Sequence, residues 1–223
     1  MIEYNNNKPL ISLHIPKCGG QSMRRVLSHW FGTGFKIHYF QQFNAMPPKH
    51  DLEPGLCIHG HFNRDKKMGA DHYYPGVRQF ITVVRDPLEM AISNYFFWKR
   101  KERARKLSLG LLKEGDNHDY RDIDDFFLKR PQSQLTLFMP KETTRENYKE
   151  MIDSYFIWIG FTDDLQGCVD MFAQRMNLPA FDVGHINDSP RDEELSPAVK
   201  DRFMDRNRFE FEIIDYIRRQ YRN

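Results

Sequence analysis

Short apolar runs interrupt a largely polar chain, and each run is bounded by glycine, proline or charged residues. Apolar runs with such boundaries are typical of buried strands. Four of them stand out: residues 11–15, residues 56–58, the centre of RQFITVVRDP at 78–87, and FIWIGF at 156–161. The pattern therefore predicts four buried strands.

Between these runs, apolar residues recur every three to four positions, which is the spacing of one helix face. The predicted helices cover 20–31, 88–106, 122–130, 143–155, 163–178 with Thr162 as N-cap, and 197–221. Strands that alternate with helices predict an α/β fold with a central, mainly parallel sheet flanked by helices. No linker interrupts the pattern, so we expect a single domain over residues 1–223.

Charge and cysteine content narrow the possible functions. The 223 residues include 33 Lys and Arg against 31 Asp and Glu, a net charge of +2, which argues against a nucleic-acid partner. Cys18, Cys57 and Cys168 are far apart with no CxxC pair, which predicts reduced thiols and no metal site. No signal-peptide pattern or apolar run near the ~20 residues of a membrane span occurs, so we expect a cytoplasmic protein without a membrane span.

The segment HIPKCGGQS at 14–22 joins the first predicted strand to the first predicted helix. Gly19 and Gly20 let backbone N–H groups approach an anion, and the helix start adds its positive dipole end. Lys17 adds a charge and Ser22 a hydroxyl, so the segment suits a phosphate-like group. It is not a Walker A loop, because Lys17 precedes the glycines. The alternative is a plain strand–turn–helix corner that needs glycine.

HIPKCGGQS resembles the HIPKTGGTS-type loop of carbohydrate sulfotransferases related to the heparan and uronosyl enzymes. The resemblance implies a P-loop-NTPase-like sulfotransferase fold and a loop that binds the 5′-phosphosulfate of 3′-phosphoadenosine-5′-phosphosulfate (PAPS). The residues that it implies as donor-binding are Lys17, Cys18, Gly19, Gly20, Gln21 and Ser22. Cys18 and Gln21 stand where threonine is common, so hydroxyl contacts from these positions are lost and backbone contacts are kept.

A second anion-binding pattern follows the third predicted strand, in VVRDPLEMAISNY. The planar fork of Arg85 suits phosphate oxygens, and Ser93 follows two helical turns later. The alternative is an Arg85–Asp86 pair and a surface serine. The segment resembles the 3′-phosphate segment of the same family, which implies that Arg85 and Ser93 bind the 3′-phosphate, although the arginine that many members carry in the spacer is absent here. Two anion sites at different strand ends favour PAPS over ATP.

The segment CIHGHFNRD places His59 and His61 two residues apart after a strand, on one face. A neutral imidazole suits the removal of a proton from a hydroxyl at neutral pH. The alternatives are a packed histidine, or a metal site for which no third ligand is spaced. The segment resembles the HGH stretch of uronosyl 2-O-sulfotransferases, which implies that His61 is the catalytic base and that His59 supports it. His14 matches the histidine of the family loop and is interpreted as structural.

Three further segments carry weaker signals. GHINDSPR at 184–191 resembles a late family segment that closes over the nucleotide, which implies roles for Asn187, Ser189 and Arg191; the alternative is an ordinary turn. Gln134 lies in a segment similar to one near the family's acceptor. The basic stretch KRKERARK at 99–106 is either a solvated helix side or a surface that attracts an anionic ligand.

These patterns together predict a sulfotransferase that moves a sulfuryl group from PAPS to a hydroxyl, with a sugar as the favoured acceptor and PAP as the product. His61 takes the acceptor proton, and Lys17 stabilises charge on the bridging oxygen, without a requirement for magnesium. A P-loop-type nucleotide kinase is the first alternative, but the chain has no Walker Lys-Ser/Thr pair. The second alternative is a non-catalytic PAP-binding module, which would keep both phosphate loops and lose the HGH base.

Overall fold

A computed structural model describes residues 1–40, 45–108, 120–130, 135–184 and 190–221. These residues form two compact units. The first unit comprises Met1–Arg85, Gln134–Ile186 and Glu212–Asn223, and the second comprises Asp86–Ser133 and Asn187–Phe211. The sequence-based expectation of one domain stays a prediction.

A five-stranded parallel sheet forms the centre of the first unit in the described part of the chain. Its strands are β1 (Leu10–Leu13), β2 (Phe35–His38), β3 (Cys57–Gly60), β4 (Phe80–Val84) and β5 (Phe156–Phe161). Their order across the sheet is β2-β3-β1-β4-β5. The predicted α/β fold with a central parallel sheet and flanking helices is therefore confirmed.

The α-helices occupy the segments between and after the strands. In chain order they are α1 (Gly20–Phe31), α2 (Ala70–Tyr73), α3 (Pro87–Ser108), α4 (Ile123–Lys129), α5 (Tyr148–Tyr155), α6 (Leu165–Met176), α7 (Pro197–Arg206) and α8 (Arg208–Tyr221). Within the described ranges, no helix combines the length and the apolar character that crossing a membrane requires.

The strands β1, β3, β4 and β5 are buried along their whole length. A parallel strand covered on both faces has no solvent side, so its sequence is a near-continuous apolar run rather than an alternating one. Ser12 in β1 and His59 in β3 are buried polar exceptions. Such runs explain why these four strands could be predicted from the sequence. Each large apolar side chain buried in them contributes about 1.5–3 kcal/mol relative to an exposed one.

Aromatic side chains of α3, α4 and α7, together with Ile123, form the core of the second unit. The buried members are Tyr95, Phe96, Ile123, Phe126, Phe127 and Phe203. Glu193 fastens the segment before α7 to this core: its carboxylate accepts hydrogen bonds from the Tyr95 hydroxyl at 2.8 Å, from Lys99 Nζ at 2.6 Å and from the Ile123 N–H at 2.9 Å. The burial of Tyr95 raises the pKa of its hydroxyl, which therefore keeps the proton that it donates.

Three predicted helix boundaries are wrong. The helix predicted over 143–155 begins only at Tyr148, as α5. Thr162 is not the N-cap of α6, because residues Thr162–Asp164 form a 3-10 turn and the Asp164 carboxylate accepts from the Gly167 N–H at 3.1 Å. The predicted C-terminal helix is divided at Asn207, whose side-chain amide donates to the Phe203 carbonyl at 2.8 Å.

Candidate functional site

Histidines meet at the carboxyl edge of the sheet because of strand register. Leu13 of β1 lies opposite Gly60 of β3, so the next residues, His14 and His61, are neighbours. Two positions earlier, Ser12 lies opposite His59. Ligands of parallel sheets bind at this edge, which is where the sequence predicts the site.

The turn between β1 and α1 has two residues in the left-handed region. Lys17 has φ 66° and Gly19 has φ 70°. Glycine adopts this conformation freely, whereas a lysine there costs about 1 kcal/mol or more. The strained lysine thus stands two residues before Gly19, the N-cap of α1, and strain of this kind is concentrated at functional sites.

Gly20 is fixed by its contact with His14. A Cβ atom at Gly20 would lie 1.8 Å from Nε2 of the His14 imidazole, so no larger residue fits while the ring stays in place. Gly20 and His14 therefore pack directly against each other.

The other loop residues differ in what they offer to a ligand. The Cys18 side chain is buried and its N–H donates to the Ile15 carbonyl at 3.2 Å. Gln21 is exposed and Ser22 is half-buried on the first turn of α1. The N–H groups of residues 20–22 have no partner within the helix, as is usual for a first helical turn, so they can bind an anion.

Arg85 follows β4 and reaches the same turn. Its Nη1 lies 3.5 Å from the Lys17 carbonyl oxygen, and the residue is half-buried. The fold therefore brings Lys17 and Arg85 together at one loop.

The other predicted ligand-binding residues lie in the second unit or outside the described residues. Ser93 is half-buried on α3, one helical turn after Glu89, and Arg191 Nη2 lies 2.7 Å from a Glu89 carboxylate oxygen. Asn187, Ser189 and Gln134 lie outside the described residues.

His59 is held on both sides of its ring. It is 1% exposed, its Nε2 lies 3.1 Å from the Gly20 carbonyl, and its Nδ1 lies 3.0 Å from the Ser12 hydroxyl. A carbonyl only accepts, so Nε2–H donates to Gly20 and Nδ1 accepts from Ser12. Burial lowers the pKa of His59 to about 3, so the ring is neutral and neither nitrogen is available to a substrate.

His61 has one nitrogen committed and one available. Its Nδ1 lies 2.8 Å from the His14 carbonyl, so Nδ1–H donates and Nε2 carries the lone pair. Burial lowers the pKa of this half-buried ring below its ordinary value, and the bond to the His14 carbonyl opposes the shift. At neutral pH the ring is therefore neutral, with the protonation state that a general base requires.

The three histidines form a stacked column with a tyrosine beside it. The His14 ring lies between His59, at 5.3 Å and 10°, and His61, at 4.3 Å and 23°. The Tyr39 hydroxyl lies 2.7 Å from His14 Nδ1, and the Tyr39 ring meets His61 edge-on at 4.8 Å. Sequence reasoning did not identify Tyr39, because the residue follows an edge strand that was not predicted.

The first three residues of the basic stretch on α3 differ in exposure. Lys99 is ion-paired with Glu193 at 2.6 Å, whereas Arg100 and Lys101 are exposed. Lys101 Nζ lies 4.9 Å from the ring centre of the exposed Trp98.

The parts of the chain that the structure describes contain no cluster of side chains suited to metal or thiol chemistry. Groups of three or more His, Cys, Asp or Glu residues that could hold a metal ion do not occur there. Cys18, Cys57 and Cys168 are buried thiols that form no disulfide. Burial raises the pKa of the Cys57 thiol above its ordinary range, so this sulfur is an inert core atom.

A family model described as "Sulfotransferase family" matches residues 2–216. No curated protein matches the chain. Among solved structures, a sulfotransferase from Alicyclobacillus acidocaldarius is similar, with 11% identity, a TM-score of 0.50, and 99% of this chain and 97% of that chain covered. Mouse sulfotransferase SULT7A1 complexed with PAP has 14% identity, a TM-score of 0.46, and 81% and 61% covered.

Proposed function

Because this chain belongs to the sulfotransferase family, and so is an enzyme of sulfuryl transfer, we propose that its donor is PAPS and that His61 is the base that activates a hydroxyl acceptor. The observation that carries the proposal is the arrangement at the carboxyl edge of the sheet. There the Lys17 turn opens a helix N-terminus, and His61 stands at the end of the neighbouring strand with Nε2 unprotonated.

The 5′-phosphosulfate is assigned to the turn between β1 and α1. Backbone N–H groups of residues 20–22 and the Ser22 hydroxyl donate to its oxygens, and Lys17 supplies a full positive charge. Left-handed Gly19 turns the chain so that these donors face one anion. Gln21 keeps only a backbone contribution in this scheme, and Cys18 contributes to packing.

The 3′-phosphate is assigned to Arg85, whose guanidinium can bind two phosphate oxygens at once. Its place after β4 supports this role, since a cation at a strand end faces ligands of the sheet edge. Ser93, Asn187, Ser189 and Arg191 remain donor-binding predictions that rest on the sequence motifs.

The reaction is an in-line displacement at sulfur. As the acceptor oxygen attacks sulfur, His61 Nε2 takes the hydroxyl proton and becomes an imidazolium. The bond between sulfur and the bridging oxygen breaks, and PAP leaves with the bonding electrons. Lys17 stabilises the negative charge that grows on that oxygen, which is an electrostatic contribution to the transition state.

A carbohydrate hydroxyl is the acceptor that we favour. The support is the resemblance of the HGH segment to the uronosyl 2-O-sulfotransferases, together with a base whose neutral form suits an alcohol at neutral pH.

Radiolabelled sulfate transfer from PAPS to a panel of glycosaminoglycans, simple sugars and phenols tests the proposal. We expect a labelled product with a carbohydrate. We expect that His61→Ala lowers the rate by roughly 10²–10⁴-fold because it removes the base, and that Lys17→Ala abolishes measurable transfer. His61→Ala should still bind PAP in a thermal-shift titration, whereas Lys17→Ala should bind it weakly.

His72→Ala is the matched control, because it removes an exposed histidine of α2 in the same unit. It should transfer sulfate at the wild-type rate. Wild-type activity in His61→Ala would remove that residue as the base. Stabilisation by ATP and magnesium but not by PAP would contradict PAPS as the donor.

A further inference from the structure

We propose that Tyr39 is a positioning residue for the reaction, acting through His14 to hold His61 in the orientation and protonation state of the base. The inference deepens the proposed function and rests on it for the role of His61. It gives a functional role to Tyr39, which the sequence motifs do not include, and to His14, which is interpreted as structural from the sequence alone.

Strand register brings the three residues together. His38 of β2 and Leu13 of β1 both lie opposite Gly60 of β3. The residues that follow on the three adjacent strands are Tyr39, His61 and His14. The His61 N–H donates to the His38 carbonyl at 2.9 Å, and the His14 N–H donates to the Gly60 carbonyl at 2.8 Å, so the backbones are tied. A Cβ atom at Gly60 would lie 2.0 Å from the His38 carbonyl oxygen, so this approach requires glycine.

We assign a direction to the hydrogen bond between the Tyr39 hydroxyl and His14 Nδ1. Burial raises the pKa of the Tyr39 hydroxyl, so that hydroxyl keeps its proton. Burial, with nearby His61, His59 and Lys17, lowers the pKa of His14 to about 2, so His14 is neutral. Each group therefore holds one proton, and we assign the hydroxyl as the donor to Nδ1, 2.7 Å away, which places the single ring proton of His14 on Nε2.

His14 acts on His61 through its backbone carbonyl and through its neutral ring. The His14 carbonyl accepts from His61 Nδ1–H, which leaves Nε2 as the basic atom. The two rings stack at 4.3 Å, so a charged His14 would strongly oppose the imidazolium that His61 becomes. A neutral His14 removes that repulsion. Two aromatic rings bound the remaining space around the His61 ring. The Tyr39 ring meets it edge-on with the ring centres 4.8 Å apart, and the centre of the Phe138 ring lies at 5.9 Å.

Other charged groups face this cluster and belong to the same electrostatic environment. They are Lys66 for His61, Lys17 for His14, and Arg24 for Tyr39 and His59. All three are cations, so each of them also disfavours a second positive charge on the column.

The test is Tyr39→Phe, which keeps the ring and removes only the hydroxyl. We expect kcat for sulfate transfer to fall roughly 10–100-fold, the usual size of an effect of an orienting partner, with the KM for PAPS unchanged within about twofold. In nitrogen NMR spectra of histidine-labelled protein, His14 should be a pure Nε2–H tautomer in the wild type and a tautomer mixture in the variant.

Tyr73→Phe is the matched control, because it removes a tyrosine hydroxyl bonded to the Pro47 carbonyl at 3.2 Å in the same unit. It should leave both kcat and the His14 signals unchanged. If Tyr39→Phe has the wild-type kcat, or if kcat falls while the His14 tautomer stays pure, the inference is overturned.

The spectra also separate this inference from the proposed function. If no acceptor or donor is ever turned over, the His14 and His61 tautomers still report on the Tyr39 contact. If Tyr39→Phe does not fold, the wild-type spectra alone decide: Nε2–H on His14 with Nδ1–H on His61 supports the inference, and the opposite tautomer on either ring overturns it.

Discussion

At the scale of single residues, the site depends on the contact between Gly20 and His14. Gly20→Ala would place a methyl group 1.8 Å from the imidazole, so the ring and the turn must move apart. We expect the free energy of unfolding to fall by about 1–3 kcal/mol and PAP affinity to fall as the N–H donors of the turn are displaced. Urea unfolding and calorimetric PAP titration measure the two effects.

Gly76→Ala is the control for this prediction, because a Cβ atom there meets nothing within 4 Å. It should retain wild-type stability and PAP affinity. A Gly20→Ala protein with wild-type values for both would mean that the His14 ring does not lie over the turn.

Burial of a neutral His59 predicts how stability varies with pH. Its pKa is lowered to about 3 in the folded protein, against an ordinary value near 6.5, so the unfolded chain binds the proton first on acidification. Stability therefore falls as pH decreases from about 6.5 towards 3, by up to ~1.4 kcal/mol per pH unit for this group. His59→Asn should reduce the slope of unfolding free energy against pH by that amount between pH 6 and 4.

Ser12→Ala provides the comparison, since it removes the hydrogen bond to His59 Nδ1 and keeps the imidazole. Its stability should be lower at pH 7 with a slope close to that of the wild type. An unchanged slope in His59→Asn would show that the buried ring does not resist protonation.

At the scale of elements, the start of α6 gives a local test of the helix boundary that sequence reasoning missed. The Asp164 carboxylate accepts the Gly167 N–H, so Asp164→Ala should cost about 1 kcal/mol of unfolding free energy in urea. Thr162→Ala, the equivalent change at the residue that the sequence favoured, should cost only a few tenths. The reverse order would restore Thr162 as the cap.

Whether an element could be predicted depends on whether its burial leaves a pattern in the sequence. Buried strands such as β4 and β5 are continuous apolar runs, which the sequence displays directly. Edge strand β2 reads FKIH and exposes Lys36 and Ile37, so it has no such pattern. The division at Asn207 is hidden because apolar spacing continues across it at Phe203 and Phe211.

At the scale of the whole molecule, parallel order and register explain why distant motifs share one edge. Lys17 and His61 follow β1 and β3, which are neighbours, and Arg85 follows β4 on the other side of β1. The sequence could predict that these residues stand at strand ends. It could not predict Tyr39, because that residue depends on the unpredicted pairing of β2 with β3.

The central claim is that one coenzyme is held at both ends, at the 5′ end by the Lys17 turn and at the 3′ end by Arg85. Arg85 Nη1 lies only 3.5 Å from the Lys17 carbonyl oxygen, a distance at which both cations could bind the same phosphate. The claim of two separate phosphate sites therefore needs a direct test. PAP and AMP distinguish the two cases, because only PAP carries the 3′-phosphate.

Calorimetric titration of PAP and AMP into the wild type, Arg85→Ala and Lys17→Ala measures the claim directly. A charge-assisted hydrogen bond contributes about 1.5–3 kcal/mol, so we expect Arg85→Ala to weaken PAP binding roughly 10–100-fold and to leave AMP binding almost unchanged. Lys17→Ala should weaken both ligands alike. Equal losses of PAP and AMP in Arg85→Ala would contradict the account, because Arg85 would then bind the 5′ end.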